Sequence, residues 1–208
     1  KIFVDAIPKI DSNEILKEYK KRSKKPDFRM ESFLREFFIF PHKVMSPPSR
    51  IDTSSMENYI DSLWNTLERQ PVKERSADTL IALNHPFIVP GGRFREMYYW
   101  DSYFTAVGLA TQDRFDMIEN LVKNLVELQD RFGIIPNGNR TYYTSRTQPP
   151  VLILMLDLLY QQYGIQHIKH YLPAIIKEYD FWMNGKDELT EDFSACKHVV
   201  RLKNGDIL

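Results

Sequence analysis

Apolar residues at helical spacing are the feature that most limits what this 208-residue chain can fold into. From 118 to 132 the large aliphatic residues recur every three or four positions, and Gly133 follows where a helix would end. The same spacing runs from 151 to 163 and again stops at a glycine, Gly164. Such stripes predict amphipathic helices that bury one face, so we expect an all-α chain with long connecting loops.

Four further segments carry helix signals of the same kind. They are a charged helix opened by Asp11 and Glu14, a helix with Phe33, Leu34, Phe37 and Phe38 on its buried side, a helix opened by a capping box from Ser54 to Glu57 and stopped by Pro71, and a helix over 172–183. This order of elements favours stacked helical hairpins that carry function on their loops.

The C-terminal segment carries a strand signal instead. Residues 199–202 are β-prone, Asn204 and Gly205 form the dipeptide of a tight hairpin turn, and only three residues follow them. An unpaired strand leaves an exposed edge. We therefore expect a small β-hairpin that starts at the C-terminus, and a polypeptide that continues beyond Leu208.

The composition argues against several classes of partner. Lysine plus arginine and aspartate plus glutamate number 28 each, so no net field attracts nucleic acid or an acidic membrane surface. No apolar run reaches the roughly 20 residues that span a bilayer. The five histidines lack ligand spacing and Cys196 is a single cysteine, so we expect no metal site. A chain that begins at Lys1, without methionine, favours a periplasmic or extracellular location over the cytoplasm.

The segment "PGGRFREMYYWDSYF", residues 90–104, concentrates aromatic rings and charges. One interpretation is a glycine turn with core rings and ordinary ion pairs. The other is a sugar site, because flat ring faces cover the C–H side of a pyranose while carboxylate and guanidinium groups bind paired hydroxyls. Asp101 stands where a helix beginning "DSYFTAVGLA" would take its N-cap, so we expect it to cap and bind together.

A second loop, "IPNGNRTYYTSRTQPP", residues 135–150, offers the same chemistry. Alone it is compatible with a solvated turn, since Asn-Gly and Pro-Pro dipeptides are common in loops. In a ring of helical hairpins, however, both loops would open on one face and could meet at one pocket. Its polar and aromatic groups are Asn137, Asn139, Arg140, Tyr142, Tyr143, Arg146 and Gln148.

These two loops also resemble a known family. The first matches every fixed position of the trehalase signature P-G-G-R-F-x-E-x-Y-x-W-D-x-Y, and the second is similar to the next trehalase segment, with S-R-T-Q-P-P in place of S-R-S-Q-P-P. The opening "FVDAIPKIDSNEILKEY" resembles the start of the trehalase catalytic domain. The likeness therefore extends over essentially the whole chain.

The resemblance implies an (α/α)6 toroid of the trehalase type, present here as an incomplete N-terminal portion. Residues 1–208 would form part of a single catalytic domain: an N-terminal extension over 1–50, helical hairpins over 51–183, and a loop with the start of a β-hairpin over 184–208. The implied reaction is hydrolysis of α,α-trehalose to two glucose molecules with inversion, without metal or organic cofactor. The expected partner is the small-molecule substrate, and a monomer is the expected state.

The family's substrate contacts fall on matched positions of this sequence. Arg93 of the first signature would contact sugar hydroxyls, and Phe94 and Tyr98 of the same signature would help to wall the pocket. The implied substrate-binding residues are Arg93, Phe94, Tyr98, Trp100, Asp101, Asn137, Arg146, Thr147 and Gln148. Thr147 replaces the usual serine and keeps a hydroxyl.

The acid and base that the reaction needs have no counterpart among these residues. An inverting glycosidase uses two carboxyl groups on opposite faces of the sugar, roughly 6.5–9.5 Å apart. In trehalases they come from later motifs, none of which occurs in residues 1–208, so we expect no catalytic residue here. Glu96 and Asp101 would approach the sugar from one side and do not qualify. Glu96 is instead expected to hold Arg93 or Arg95 in place.

Two alternatives to a trehalase remain open from the sequence. One is an α-toroid glucosidase that acts on another disaccharide through a related pocket. The other is a non-catalytic sugar-binding fragment, which the lack of an acid and base permits. Asn139 with Thr141 also forms a glycosylation sequon, but it lies in the second loop, where a glycan would block substrate, so we expect it unmodified.

Overall fold

The computed structural model describes residues 2–40, 51–73, 78–191 and 195–206, and helices dominate them. The helices are α1 (Ser12–Arg22), α2 (Met30–Phe37), α3 (Met56–Leu67), α4 (Tyr99–Ala110), α5 (Phe115–Phe132), α6 (Leu152–Tyr163), α7 (Ile165–Ile168) and α8 (Leu172–Trp182). Two-residue strands pair antiparallel: β1 (Ile7–Pro8) with β2 (Phe38–Ile39), β3 (Glu68–Arg69) with β4 (Phe87–Ile88), and β5 (Ala195–Cys196) with β6 (Val199–Val200). The predicted all-α class is confirmed. Within the described ranges, no helix is both long and apolar enough to cross a membrane.

The main core lies where α4, α5 and α6 pack against one another. α5 contributes the aliphatic stripe that its spacing predicts, and Ile118, Leu121, Leu125 and Leu128 are all fully buried. Gly133 ends this helix with a φ of 81°, a left-handed conformation that glycine adopts without steric cost. The core therefore fixes α4 and α6, the helices that follow the two loops of interest.

A smaller apolar cluster joins α1 and α2 at the N-terminal end of the chain. Ile15, Phe33 and Phe37 are its buried members. The Asp11 carboxylate caps α1 by accepting the backbone N–H of Asn13 at 2.8 Å, as its sequence position predicts. The strand pair β1–β2 closes this unit.

Helix α3 starts one residue later than the predicted capping box requires. Its N-cap is Ser55, whose hydroxyl accepts the backbone N–H of Asn58 at 3.1 Å, whereas the Ser54 hydroxyl accepts from the side-chain amide of Asn58. The helix also ends at Leu67, four residues before Pro71, because Glu68 leaves the helical conformation to pair with β4. Strand pairing, not proline, terminates this helix.

The C-terminal strand pairs with an upstream strand, which the sequence did not predict. β6 pairs with β5 across a turn at Lys197, whose φ of 50° permits a tight reversal. Asn204 and Gly205 do form a turn, in which the Leu202 N–H donates to the Asp206 carbonyl at 2.7 Å. The predicted return strand falls largely on 207–208, outside the described residues.

Candidate functional site

The two loops predicted to converge are hydrogen-bonded to each other. Tyr98 and Gly138 form an isolated antiparallel bridge, and the Tyr99 N–H donates to the Asn137 carbonyl at 3.2 Å. The approach is close: a Cβ added to Gly138 would lie 3.1 Å from the Met97 carbonyl oxygen. Only glycine permits this contact without a shift of the neighbouring chain.

A side chain ties the end of the second loop to the start of α4. The Gln148 carbonyl oxygen, Oε1, accepts the backbone N–H of Trp100 at 3.0 Å. Within the loop, the Asn137 N–H donates to the Arg146 carbonyl at 2.9 Å, which closes the segment between these residues into a compact unit. The structure therefore brings Asn137, Arg146 and Gln148 next to the first loop.

Rings and guanidinium groups form a continuous row across both loops. Tyr98 meets Phe94 on one side and Tyr143 on the other, with ring centroids 5.8 Å apart in each case. The Arg93 guanidinium lies 5.2 Å from the Phe94 centroid, and the Arg146 guanidinium lies 5.2 Å from that of Tyr143. Such distances are within cation–π range. Two cations thus flank three rings, and both arginines are exposed to solvent.

Three further predicted site residues belong to the same two segments. Trp100 is 45% exposed and packs edge-on against Phe104, with centroids 5.9 Å apart. Thr147 is half-buried, and its hydroxyl points to the Gln148 carbonyl at 3.3 Å. Asp101 is also half-buried, but it is not the N-cap of α4.

The N-cap of α4 is Tyr98, three residues before the predicted one. Its extended backbone results from the bridge to Gly138, so the helix begins as soon as that pairing ends. Asp101 therefore occupies the first turn of α4, where a carboxylate is favoured by the helix dipole. The prediction that Asp101 caps α4 is therefore wrong.

Glu96 binds a different arginine from the two that the sequence suggested. Its carboxylate is almost fully buried and accepts the Arg140 Nε–H at 2.9 Å. It also accepts the backbone N–H of Arg95 and the Tyr98 hydroxyl, each at 3.0 Å. Burial, reinforced by the nearby Glu96 charge, raises the pKa of Tyr98, so this phenol stays protonated and donates.

Arg140 joins the N-terminal segment to both loops, a role that the sequence did not reveal. Besides Glu96, its guanidinium pairs with the Asp5 carboxylate and donates to the Val4 carbonyl and to the Thr79 hydroxyl at 3.0 and 2.9 Å. Burial alone would lower the pKa of Arg140, but the two carboxylates outweigh it and raise the pKa. Loops have no periodicity from which the burial of one arginine could be predicted.

Asn139 is a second buried polar residue of this loop. Its amide nitrogen donates to the Ile81 carbonyl at 2.9 Å, and its amide oxygen accepts the Met97 N–H at 2.8 Å. The side chain is 1% exposed. In the folded protein this nitrogen is therefore occupied and inaccessible to a glycosylating enzyme.

Comparison with known proteins identifies the family. The trehalase family model matches residues 1–205. The chain belongs to the trehalase family. Among solved structures, it is similar to neutral trehalase Nth1 from Saccharomyces cerevisiae, with 32% sequence identity over 64% of this chain and a TM-score of 0.44. The match covers 26% of that chain, so this trehalase-family sequence corresponds to about a quarter of its length.

The family assignment also sets the fold type: the helices described above belong to the all-α toroid of trehalases. The signature residues of this trehalase-family chain occupy the paired loops and the first turn of α4. Among the residues that the structure describes, no group of three or more His, Cys, Asp and Glu side chains is placed to hold a metal ion.

Proposed function

We propose that this chain supplies the substrate-binding part of an enzyme that hydrolyses α,α-trehalose to two glucose molecules with inversion. The observation that carries the proposal is the joining of the two loops, because it gathers flat rings and exposed guanidinium groups on adjacent segments. A neutral sugar needs both, since rings cover its C–H faces and charged groups bind its hydroxyls. Family membership supports trehalose as that sugar.

In this proposal the nine predicted residues hold a glucosyl unit. Arg93 and Arg146 donate hydrogen bonds to hydroxyls from the two ends of the ring row. The Asp101 carboxylate accepts hydrogen bonds from hydroxyls, and the Asn137 amide can both accept and donate them. Trp100, Phe94 and Tyr98 provide apolar faces. Thr147 and Gln148 complete the contacts from the end of the second loop. Asp101 is free for this task because it does not cap α4.

The general acid and base belong to sequence beyond residue 208 in this proposal. Glu96 cannot serve, because it is 1% exposed and bonded to Arg140, Tyr98 and the Arg95 backbone. We therefore assign no catalytic residue to 1–208, and we expect the chain alone to be inactive. The reading frame followed past the Leu208 codon should encode the missing carboxyl groups; its product is called the extended protein below.

The decisive experiment compares the extended protein with its Trp100→Ala and Arg93→Ala variants on trehalose. Removing one charged hydrogen-bonding group costs about 1.5–3 kcal/mol, so kcat/KM should fall at least about tenfold in Arg93→Ala. Proton NMR of the first products tests inversion, which yields one β-glucose from the attacked unit and one α-glucose from the leaving unit. Two α-glucose molecules would contradict the inverting mechanism.

Two controls separate this function from its alternatives. Maltose, another glucose disaccharide with an α linkage, should be hydrolysed far more slowly than trehalose; the reverse preference would indicate a different α-toroid glucosidase. Calorimetry of the 208-residue chain with trehalose should show little or no heat, because the rings of Phe94, Trp100 and Tyr142 in the two segments are open to solvent instead of enclosed in a pocket. Strong binding without hydrolysis by the extended protein would favour a sugar-binding protein.

A further inference from the structure

Tyr99 lies inside the protein and holds both ends of the second loop. Its side chain is fully buried, and its backbone N–H donates to the Asn137 carbonyl at 3.2 Å. Its hydroxyl accepts the backbone N–H groups of Val151 and Leu152 at 2.9 and 2.8 Å, where α6 begins. One residue of α4 therefore contacts the chain on either side of the segment 138–148.

The hydroxyl of Tyr99 has its full complement of partners. A phenol carries one donor and two acceptor sites, and the two N–H groups of α6 occupy the acceptor sites. Its proton is donated to the carboxyl group of Glu178, a buried residue of α8. Burial, together with the neighbouring Glu178 charge, raises the pKa of Tyr99, so the proton stays on the phenol.

This arrangement matters for the site because a second link joins the same two short segments. The Gln148 side chain accepts the Trp100 N–H, while the Tyr99 hydroxyl binds the first N–H groups of α6. Residues 99–100 and 148–152 are thus connected twice. A shift of the α6 start would move Gln148 away from Trp100 and loosen the paired loops.

We propose that Tyr99 and Glu178 are positioning residues of the sugar site: Glu178 orients the Tyr99 hydroxyl, and that hydroxyl fixes the start of α6 so that Gln148 stays against Trp100. Neither side chain touches substrate in this proposal. The inference rests on the proposed function, because it assigns these residues a part in binding trehalose. It extends the site from the loops to α8.

The test measures kcat and KM for trehalose in the extended protein carrying Tyr99→Phe or Glu178→Gln. Phenylalanine fills the same space but leaves two helix N–H groups without an acceptor, so KM should rise about tenfold, equivalent to 1.4 kcal/mol, with kcat changing less. Glutamine retains an oxygen that accepts the Tyr99 proton, so its effect on KM should stay below about threefold.

Tyr171→Phe is the matched control. Tyr171 is also a buried tyrosine, beside α8, but its hydroxyl has no hydrogen-bond partner among the described residues. Removing that hydroxyl should leave KM unchanged. A rise in KM for this variant equal to that for Tyr99→Phe would overturn the proposal, because any lost buried hydroxyl would then have the same effect.

Gln148→Ala distinguishes positioning from a general loss of stability. If Tyr99 acts through Gln148, adding Tyr99→Phe to Gln148→Ala should raise KM little further, whereas independent effects multiply. A lowered melting temperature with unchanged KM in Tyr99→Phe, or fully multiplicative effects on KM, would overturn the positioning role while trehalose hydrolysis stands. A wild-type extended protein that leaves trehalose intact would overturn both proposals.

Discussion

A single guanidinium connects residues that are far apart in the sequence. Arg140 is almost fully buried and binds Glu96 and Asp5 as well as the Val4 carbonyl and the Thr79 hydroxyl. The buried Glu96 carboxylate depends on this cation for compensation of its charge, and the partly buried Asp5 lies closer to it than to Arg95, whose Nε is 3.8 Å away. The arginine therefore stabilises the arrangement of the N-terminal segment and both site loops together.

We expect Arg140→Met to lower the free energy of unfolding by about 3–5 kcal/mol, because it leaves the buried Glu96 carboxylate without its arginine partner and leaves Asp5 only the more distant Arg95. Urea denaturation measures the change. Arg35→Met is the matched control: Arg35 also pairs with a glutamate, Glu31, but both side chains are more than 70% exposed. Its loss should cost no more than about 1 kcal/mol. Equal losses for the two variants would refute the special role of Arg140.

Glu178 gives the stability a pH dependence whose sign follows from its burial. Burial raises the pKa of Glu178 above its ordinary value of 4.5, with the Tyr99 hydrogen bond acting in the opposite direction. Between the two pKa values the folded protein keeps a proton that the unfolded chain has lost. The stability that this carboxyl contributes is therefore largest at low pH and falls as pH rises through the folded-state pKa.

Glu178→Gln should remove this dependence. The difference in unfolding free energy between wild type and variant, measured from pH 4 to pH 8, should favour the wild type most at the acid end. The exposed Glu31→Gln variant serves as control and should show a nearly constant difference over this range. A wild-type advantage that grows with pH would show that Glu178 prefers to be ionised in the folded protein.

At the scale of elements, the start of α3 tests which of two adjacent serines stabilises the helix as its N-cap. Ser55 caps the helix, while Ser54 binds only the side chain of Asn58. We expect Ser55→Ala to cost about 1 kcal/mol of stability and Ser54→Ala much less. Thermal denaturation of both variants measures the difference. A larger loss for Ser54→Ala would restore the capping box predicted from the sequence.

The sequence predicted the helices well and their first residues less well. The aliphatic stripe of α5 and the glycines after α5 and α6 carry their own physical signal, so both helices lie where they were expected. Adjacent serines at 54 and 55 are chemically equivalent, and only the backbone conformation selects between them. Asp101 was misplaced for a similar reason, because the pairing of Tyr98 with Gly138 decides where α4 begins.

The candidate site likewise has features that the sequence predicted and features that it did not. Sequence alone predicted that the two loops meet, since each connects helices of a hairpin arrangement. It did not predict the Arg140 contacts or the Tyr99–Glu178 hydrogen bond. These contacts join residues between 44 and 136 positions apart, and no local pattern specifies such a partner. Whether the nine predicted residues bind sugar stays a prediction.

At the scale of the whole molecule, α8 presents an apolar stripe to solvent. Leu172, Ile176 and Tyr179 are each more than half exposed, and their spacing places them on one face of the helix. We expect the isolated 208-residue chain to associate through this surface, because contiguous apolar patches favour contact between molecules. Sedimentation velocity over a dilution series measures the association.

Ile176→Lys should weaken that association by placing a charge in the centre of the stripe. Gln161→Lys adds the same charge at an exposed polar position of α6 and is the control. Equal association of both variants would show that another surface is responsible. We expect the extended protein to sediment as a monomer at the same concentrations.

The buried amide of Asn139 has a consequence for how the polypeptide can be produced. Oligosaccharyltransferases recognise the sequence Asn139-Arg140-Thr141 on an unfolded chain, and the side chain becomes enclosed between Ile81 and Met97 only on folding. A glycan attached to Asn139 before folding would keep this residue from packing between Ile81 and Met97. It would also block the neighbouring Arg140 contacts. When the protein is secreted from a eukaryotic host, folding therefore competes with N-glycosylation of Asn139. Expression in a bacterial host that lacks N-glycosylation avoids this competition.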